Sequence, residues 1–297
     1  MNAQSVHQAL HAHAVPRRPA TALKRAARQV LASLGIEVLK TRTLNAYLDR
    51  YSDACAEIEA THRQFVFQDL PELPGRVPLL VKLQGTGLTE ALWLLGFLHR
   101  SLDVDGDICE FGVAQGATSA LLANEIRTTS RRLWLFDSFE GLPRPGKQDV
   151  LLDDIYGLGK IEKYAGRMVE DQAQVVGRLR QIGFPVARAR IVPGFIEDVI
   201  GQPGLPDQVC FAYIDFDFYA PIRTALEFLD TRVPEGGCVM VDDYGHFSAG
   251  SQTAVDEFVA LRADRWKLTL PPAFAGRFAL LERVSRAASA NSPLSAT

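Results

Sequence analysis

Cysteine is scarce and unpatterned in this chain: four residues in 297, Cys55, Cys109, Cys210 and Cys238, with no CxxC pair among them. That excludes a thiolate metal site of the usual spacing. Cys109, Cys210 and Cys238 fall inside apolar, strand-like runs, as reduced core residues of a cytoplasmic protein would. Long hydrophobic runs are missing as well. The longest strongly apolar stretch, Ala91 to Leu98, is far short of the roughly 20 residues needed to cross a bilayer, so it reads as a core helix and no membrane partner is expected. There is no basic excess either. The balance of 32 Lys and Arg against 35 Asp and Glu leaves a formal charge of −3, which provides no field for nucleic acid and favours a small-molecule partner. No internal repeat of solenoid type is present.

One absence is local. No acidic residue precedes Glu37, whereas Arg17, Arg18, Lys24, Arg25 and Arg28 crowd the same stretch. The bias resembles that of an organelle transit peptide, but a solvated basic face on an amphipathic helix from about Thr21 to Leu34 is the simpler reading. His7, His11 and His13 read as part of a floppy terminus rather than a metal site, and residues 285–297, rich in Ala and Ser, as a disordered tail.

What the chain has is an alternation of short apolar strands and helical periods. Helical spacing from Leu44 to about Gln68, followed by Pro71, Pro74 and Pro78, predicts a helical appendage or lid over residues 1–85. Thr89 is a candidate cap for the helix carrying Ala91–Leu98, and a turn at Asp103–Gly106 leads into the first strand, Asp107–Phe111. Further strands are expected at Leu133–Asp137, Arg190–Pro193, Val209–Asp215, Cys238–Asp242, Trp266–Leu270 and Phe278–Glu282. Helices are expected near Ala117–Arg127, Val169–Ile182, Pro221–Arg232 and Ser251–Leu261. Repeated βα units mean a mainly parallel, Rossmann-like α/β sheet of seven strands over residues 86–284, with the last two as an antiparallel hairpin at one edge.

Two acidic pairs close buried strands: Asp215 and Asp217 in AYIDFDFYAP, Asp242 and Asp243 in CVMVDDYGH. Residues two apart in extended chain point to one side, and the 27 residues from Asp215 to Asp242 suit one crossover that makes the two strand ends near neighbours or one strand apart. Separate helix caps would explain either pair alone, but both pairs together point to a hard cation, Mg²⁺ or Ca²⁺ rather than zinc, because the ligands are all oxygen. The first strand runs into Glu110-Phe-Gly-Val-Ala-Gln-Gly-Ala-Thr-Ser119, where Gly112 permits a sharp turn and Gly116 opens a helix whose free N–H groups can meet an anionic group. It is a nucleotide-type loop without the dinucleotide signature, since Ala114 and Ala117 stand where GxGxxG requires glycine, and this counts against an NAD-type oxidoreductase. Asp137, ending the second strand, stands where an acidic side chain holds a ribose diol, or else caps the following turn. His246 reads as a candidate base or a polar loop residue, and Tyr219 and Tyr244 as pocket-lining or packing residues. Arg76, Arg144 and Lys147, in Pro/Gly-bearing loops, read as solvated.

The motifs EFGVAQGATS, FDSFEGLPRP, YIDFDFYAPIRTALEFL and GGCVMVDDYG, in that order between about Asp107 and Phe258, resemble the macrocin O-methyltransferase family, bacterial class I S-adenosylmethionine enzymes acting on hydroxyls of antibiotic sugars and related natural products. The resemblance implies a seven-stranded methyltransferase fold. It implies S-adenosylmethionine bound by Glu110, Gly112, Val113, Gly116, Thr118, Ser119, Asp137, Ser138, Gly194 and Asp215. It also implies Mg²⁺ on Asp215, Asp242 and Asp243, with Asp217 as general base and a small hydroxylated acceptor as partner. Phe216 between the paired aspartates, and His246 with Phe247 after the second pair, depart from the family pattern where the acceptor is chosen. A non-catalytic scaffold that keeps the fold and the cofactor is the alternative outside catalysis, disfavoured by retention of all four aspartates. The apolar N-terminal helices suit a homodimer.

Overall fold

The computed structural model describes residues 41–285, with side chains from residue 44; the basic N-terminal stretch, its histidines and residues 286–297 lie outside the described residues. Helix α1 is Thr41–Phe65, and a compact unit extends from Ser52 onward, so residues 52–85 belong to the same unit as the sheet. In chain order the elements are α2 (Arg76–Leu80), α3 (Leu88–Ser101), β1 (Asp107–Phe111), α4 (Ala117–Glu125), β2 (Leu133–Asp137), α5 (Gln172–Gln181), β3 (Ala189–Pro193), α6 (Ile196–Val199), β4 (Val209–Ile214), α7 (Tyr219–Asp230), β5 (Cys238–Val241), α8 (Ala249–Ala260), β6 (Trp266–Thr269) and β7 (Ala279–Arg283), with short 3-10 turns at Ile161–Tyr164 and Val186–Arg188.

The seven strands form one sheet in the order β3-β2-β1-β4-β5-β7-β6, parallel except for β7. The expected hairpin is present, with β7 inserted between β5 and β6. Both faces are covered, which is why the inner strands read as continuous apolar runs. Ile108, Leu135, Tyr213 and Met240 face a core packed by α3, α4 and α5, while Cys109, Phe136, Ile214 and Val241 face one packed by α6, α7 and α8.

Two local readings change and one left open is decided. Thr89 is not the cap of α3: Gly87 is, without a side-chain hydrogen bond, and the Thr89 hydroxyl donates to the Phe274 carbonyl at 3.2 Å. Arg76 is not solvated. It is 1% exposed, donating to Glu59 at 2.7 Å and to both oxygens of Glu125 at 3.0 and 2.6 Å. His99 meets the same Glu125 at 2.8 Å; burial pushes that carboxyl up, and the His99 and Arg76 hydrogen bonds outweigh it, holding it below its ordinary range. Tyr219 and Tyr244 are packing residues, their hydroxyls donating outward to Glu257 and Asp256, both at 2.6 Å.

Candidate active site

At the carboxyl ends of the parallel strands the ladder continues one step beyond each strand. Gly194 N–H donates to Asp137 O (2.9 Å), Gly112 to Phe136 O (2.9 Å), Asp215 to Phe111 O (2.7 Å) and Asp242 to Ile214 O (2.8 Å). This staircase sets Gly194, Asp137, Gly112, Asp215 and Asp242 side by side across the switch between β1 and β4, where open α/β sheets bind ligands. A cavity of about 670 Å³ lies over it, lined by all five together with Asp217 and Asp243. Two separate stretches of backbone therefore deliver their acidic pairs to one cleft.

Within it, one carboxylate oxygen from each of Asp215, Asp217 and Asp243 lies within 4.8 Å of the others. Asp242 stands beside them, with one oxygen accepting from the Tyr213 hydroxyl (2.6 Å) and the other from the Asp243 N–H (2.7 Å). A carboxylate oxygen with one hydrogen bond keeps a free lone pair, so Asp242 retains capacity for a further ligand. Asp217 (φ 63°) and Asp243 (φ 55°) hold left-handed backbone, uncommon for residues with a Cβ and concentrated where function over-determines conformation.

Desolvation dominates the electrostatics. Burial, then Asp242 and Asp217, push Asp215 well above the ordinary carboxylate range; burial and Asp243 do the same to Asp217. Asp243 is pushed up to about 6 by burial and Asp242, against hydrogen bonds from His246 and Asp217. His246 lines the cavity with Nδ1 3.1 Å from Asp243 and Nε2 3.0 Å from Asp153, placing its ring between two carboxylates. Among the described residues no lysine or arginine pairs with any of the four aspartates. Clustered oxygen ligands with raised proton affinity and no fixed counter-charge fit a hard dication.

The glycine loop is shaped by a close approach of neighbouring backbone. Gly112 (φ 88°) lines the cavity, and a Cβ there would overlap the Asp215 carbonyl. Asp137 accepts from Val113 N–H (2.7 Å), Ala114 N–H (2.9 Å) and Phe139 N–H (2.7 Å), so its carboxylate ties the β1 turn to β2 while still facing the cavity. Of the residues expected to bind the cofactor, Gly112, Asp137, Ser138, Gly194 and Asp215 line the cavity. Val113, Gly116, Thr118 and Ser119 lie behind it, as does Glu110, whose side chain projects to the α4 face. Glu110 is fully buried and accepts from the Ser119 hydroxyl; burial pushes it up to about 8. Thr118 pairs with Thr86 at 3.1 Å.

Glu90 was not legible as part of this region. It sits in the first turn of α3, 8% exposed; burial, then the nearby charge of Asp242, push it up to about 10, and its Oε1 has no partner. An acid in a helix's first turn ordinarily signals only the helix dipole. Gln84, Tyr156, Met168 and Glu197 on the cavity wall likewise carry no local signature.

The sheet is that of the class I methyltransferases. The chain superimposes on the O-methyltransferase NovP with a TM-score of 0.56 at 23% identity, covering 67% of this chain and 81% of that one. The calicheamicin methyltransferase CalS11 aligns with a TM-score of 0.54 at 21% identity, covering 79% and 91%. The family described as macrocin-O-methyltransferase (TylF) matches residues 99–268, more than half of the sequence, and the chain belongs to that family. It is 32% identical over 145 residues to the 8-demethyl-8-(2,3-dimethoxy-alpha-L-rhamnosyl)-tetracenomycin-C 4'-O-methyltransferase of Streptomyces olivaceus, covering 48% of this chain and 54% of that protein. Against the demethyldecarbamoylnovobiocin O-methyltransferase of Streptomyces niveus the identity is 28% over 162 residues, covering 53% and 60%. The match thus spans little more than half the length of these relatives.

Proposed function

We propose that this protein is an S-adenosylmethionine-dependent O-methyltransferase that uses a hard dication, Mg²⁺ being the simplest, to methylate a hydroxyl of a small natural product or sugar. The observation that carries the reading is the convergence of Asp215, Asp217 and Asp243 on a cavity that also holds Gly112 and Asp137. Family membership supports the reaction class.

Gly112 and Gly194 bring backbone to the cavity wall, and Asp137 stands where a ribose diol would be held. Bound there, S-adenosylmethionine supplies a methyl group already activated by its sulfonium. Asp215, Asp242 and Asp243 would hold the dication, which would lower the pKa of an acceptor hydroxyl. Asp217 would take that proton, its carboxylate standing within 4.8 Å of those of Asp215 and Asp243 at the cavity wall. Alignment for in-line attack then falls to the cavity wall from Ser138 to Tyr156.

Methyl transfer to a panel of hydroxylated acceptors, with and without excess chelator, tests the reading. Transfer abolished by chelator and restored by Mg²⁺ is expected, whereas full activity in chelator refutes the cation. A thermal shift with S-adenosylhomocysteine but not with NAD is expected as well, about 2.7 kcal/mol at 100 times the Kd.

A further inference from the structure

Asp149 lies in the long connection between β2 and α5 and is 4% exposed, although nothing in the chemistry above uses it. Its Oδ1 accepts from the Tyr219 N–H at 2.8 Å and from the Ser248 hydroxyl at 3.2 Å, and its Oδ2 accepts from the Gly146 N–H at 2.7 Å. Tyr219 is the first residue of α7, whose N-cap, Phe218, has no side-chain oxygen to offer. Ser248 is the N-cap of α8. One carboxylate therefore reaches the start of the helix that follows Asp217 and the start of the helix that follows the Asp242–Asp243 pair. A Cβ on Gly250 would overlap the Asp149 carboxylate and lie 2.8 Å from the Tyr219 nitrogen, so the two helix starts and the carboxylate share a space that only glycine leaves open.

The surrounding backbone reinforces the junction. Leu152 N–H donates to Phe247 O at 2.7 Å and Ala249 N–H to Val150 O at 2.9 Å, closing an antiparallel bridge between Leu151 and Ser248. Phe218 and Phe247 stack beneath it with ring centroids 6.0 Å apart. Left-handed backbone at Asp217, Asp243 and Phe247 persists only where the surroundings over-determine it, and this junction flanks all three.

We infer that Asp149 is a positioning residue that caps α7 in trans, ties it to the start of α8, and so holds the two acidic loops in the register that brings Asp217 and Asp243 together. The inference rests on the proposed cation-assisted reading for its consequence, but not for its geometry. The carboxylate touches no reacting atom. Negative charge at two helix starts is also favoured by their dipoles, so an uncharged replacement weakens both attachments.

The test uses the full chain and two variants, Asp149→Ala and Gly250→Ala; the second keeps the carboxylate but fills its space, and reports even where the first fails to fold. Amide hydrogen exchange is expected to accelerate together in peptides spanning residues 215–222 and 242–250, while residues 108–120 keep their protection. Affinity for Mn²⁺ alone, read by electron paramagnetic resonance, is expected to fall about 10–100-fold, with S-adenosylhomocysteine affinity falling less. Faster exchange confined to residues 146–153 with wild-type Mn²⁺ affinity overturns the inference, as does an equal loss of cation and cofactor affinity. Failure of the wild-type protein to bind Mn²⁺ refutes the cation reading instead, and the exchange data then decide the role of Asp149 by themselves.

Discussion

Gly112→Ala is the sharpest probe of the staircase at the strand ends. A Cβ at this position would lie 2.7 Å from the Asp215 carbonyl carbon and closer still to its oxygen, while carbon contacts settle at about 3.5–4.0 Å. The β1 turn must therefore separate from β4 by about 1 Å, and the methyl must also be held at φ 88°. Left-handed backbone costs about 1–2 kcal/mol and overpacking about 1–3, so a loss of roughly 2–5 kcal/mol is expected. At this chain length that is a drop in Tm on the order of 3–8 °C. Because the forced shift moves Asp215 relative to the glycine loop, S-adenosylhomocysteine affinity and turnover should fall together, turnover by about 100-fold for a displacement of this size. Gly177→Ala is the matched control: this glycine lies within α5 with nothing within 4 Å of its would-be Cβ, and alanine should stabilise by about 0.5–1 kcal/mol. Calorimetric melts and titrations on the three proteins decide the matter. A Gly112→Ala protein with wild-type Tm and wild-type cofactor affinity refutes the close approach of β1 and β4 on which the site's geometry depends.

Asp217→Asn should leave S-adenosylhomocysteine binding near normal while turnover falls by about 10²–10⁴; equal turnover would remove Asp217 as the base. Arg76→Met leaves buried Glu59 with Arg63 alone and Glu125 with His99 alone, and should cost about 3–5 kcal/mol in urea melts, with much of the loss recovered in the triple variant with Glu59→Gln and Glu125→Gln. Glu110 has a folded pKa pushed up to about 8 from 4.5, so the folded state binds the extra proton between those values and stability falls as pH rises through that window. The stability of the wild type relative to Glu110→Gln should therefore decline from pH 5 to pH 8 by a few kcal/mol, on the order set by the shift, and level off above it; urea melts whose difference does not change with pH would show that the carboxyl titrates normally.

The strands were legible because parallel strands buried on both faces are near-continuous apolar runs, and each carried its punctuation: Gly112 after β1, Asp137 at the end of β2, Asp215 after β4, Asp242 after β5. The same local pattern exposed both acidic pairs. What escaped depends on partners distant in sequence. Arg76 looks solvated beside its prolines and glycine, and only folding brings Glu59 and Glu125 to it, from 17 and 49 residues away. Glu90 looks like a dipole-matching acid, and only the packing of α3 puts it against Asp242. The tyrosines flanking the acidic pairs face away because their hydroxyls reach Glu257 and Asp256 on α8, acids 38 and 12 residues further along the chain.

The placement of Asp217 and Asp243 ties the backbone to the chemistry. Asp217 lies three residues past the end of β4 and Asp243 two past the end of β5, in the turns that lead toward α7 and α8, and each adopts left-handed backbone. At Asp243 an extended continuation would carry the side chain to the side opposite its neighbour Asp242. The sharp reversal instead folds both back over the sheet edge, so that Asp217 meets Asp243 across the gap between β4 and β5. Mutual repulsion opposes that meeting and left-handed strain opposes the turns, so neither residue's own preference produces the arrangement. It is held from outside, by the ladder step from Asp242 N–H to Ile214 O, by the Tyr213 hydroxyl on Asp242, and by the helix starts packed behind each loop. On the proposed reading, a site assembled against its local preferences in this way would already be organised for a cation. The energy of ordering the carboxylates has been met by folding, and a bound dication would be left to relieve the repulsion among them.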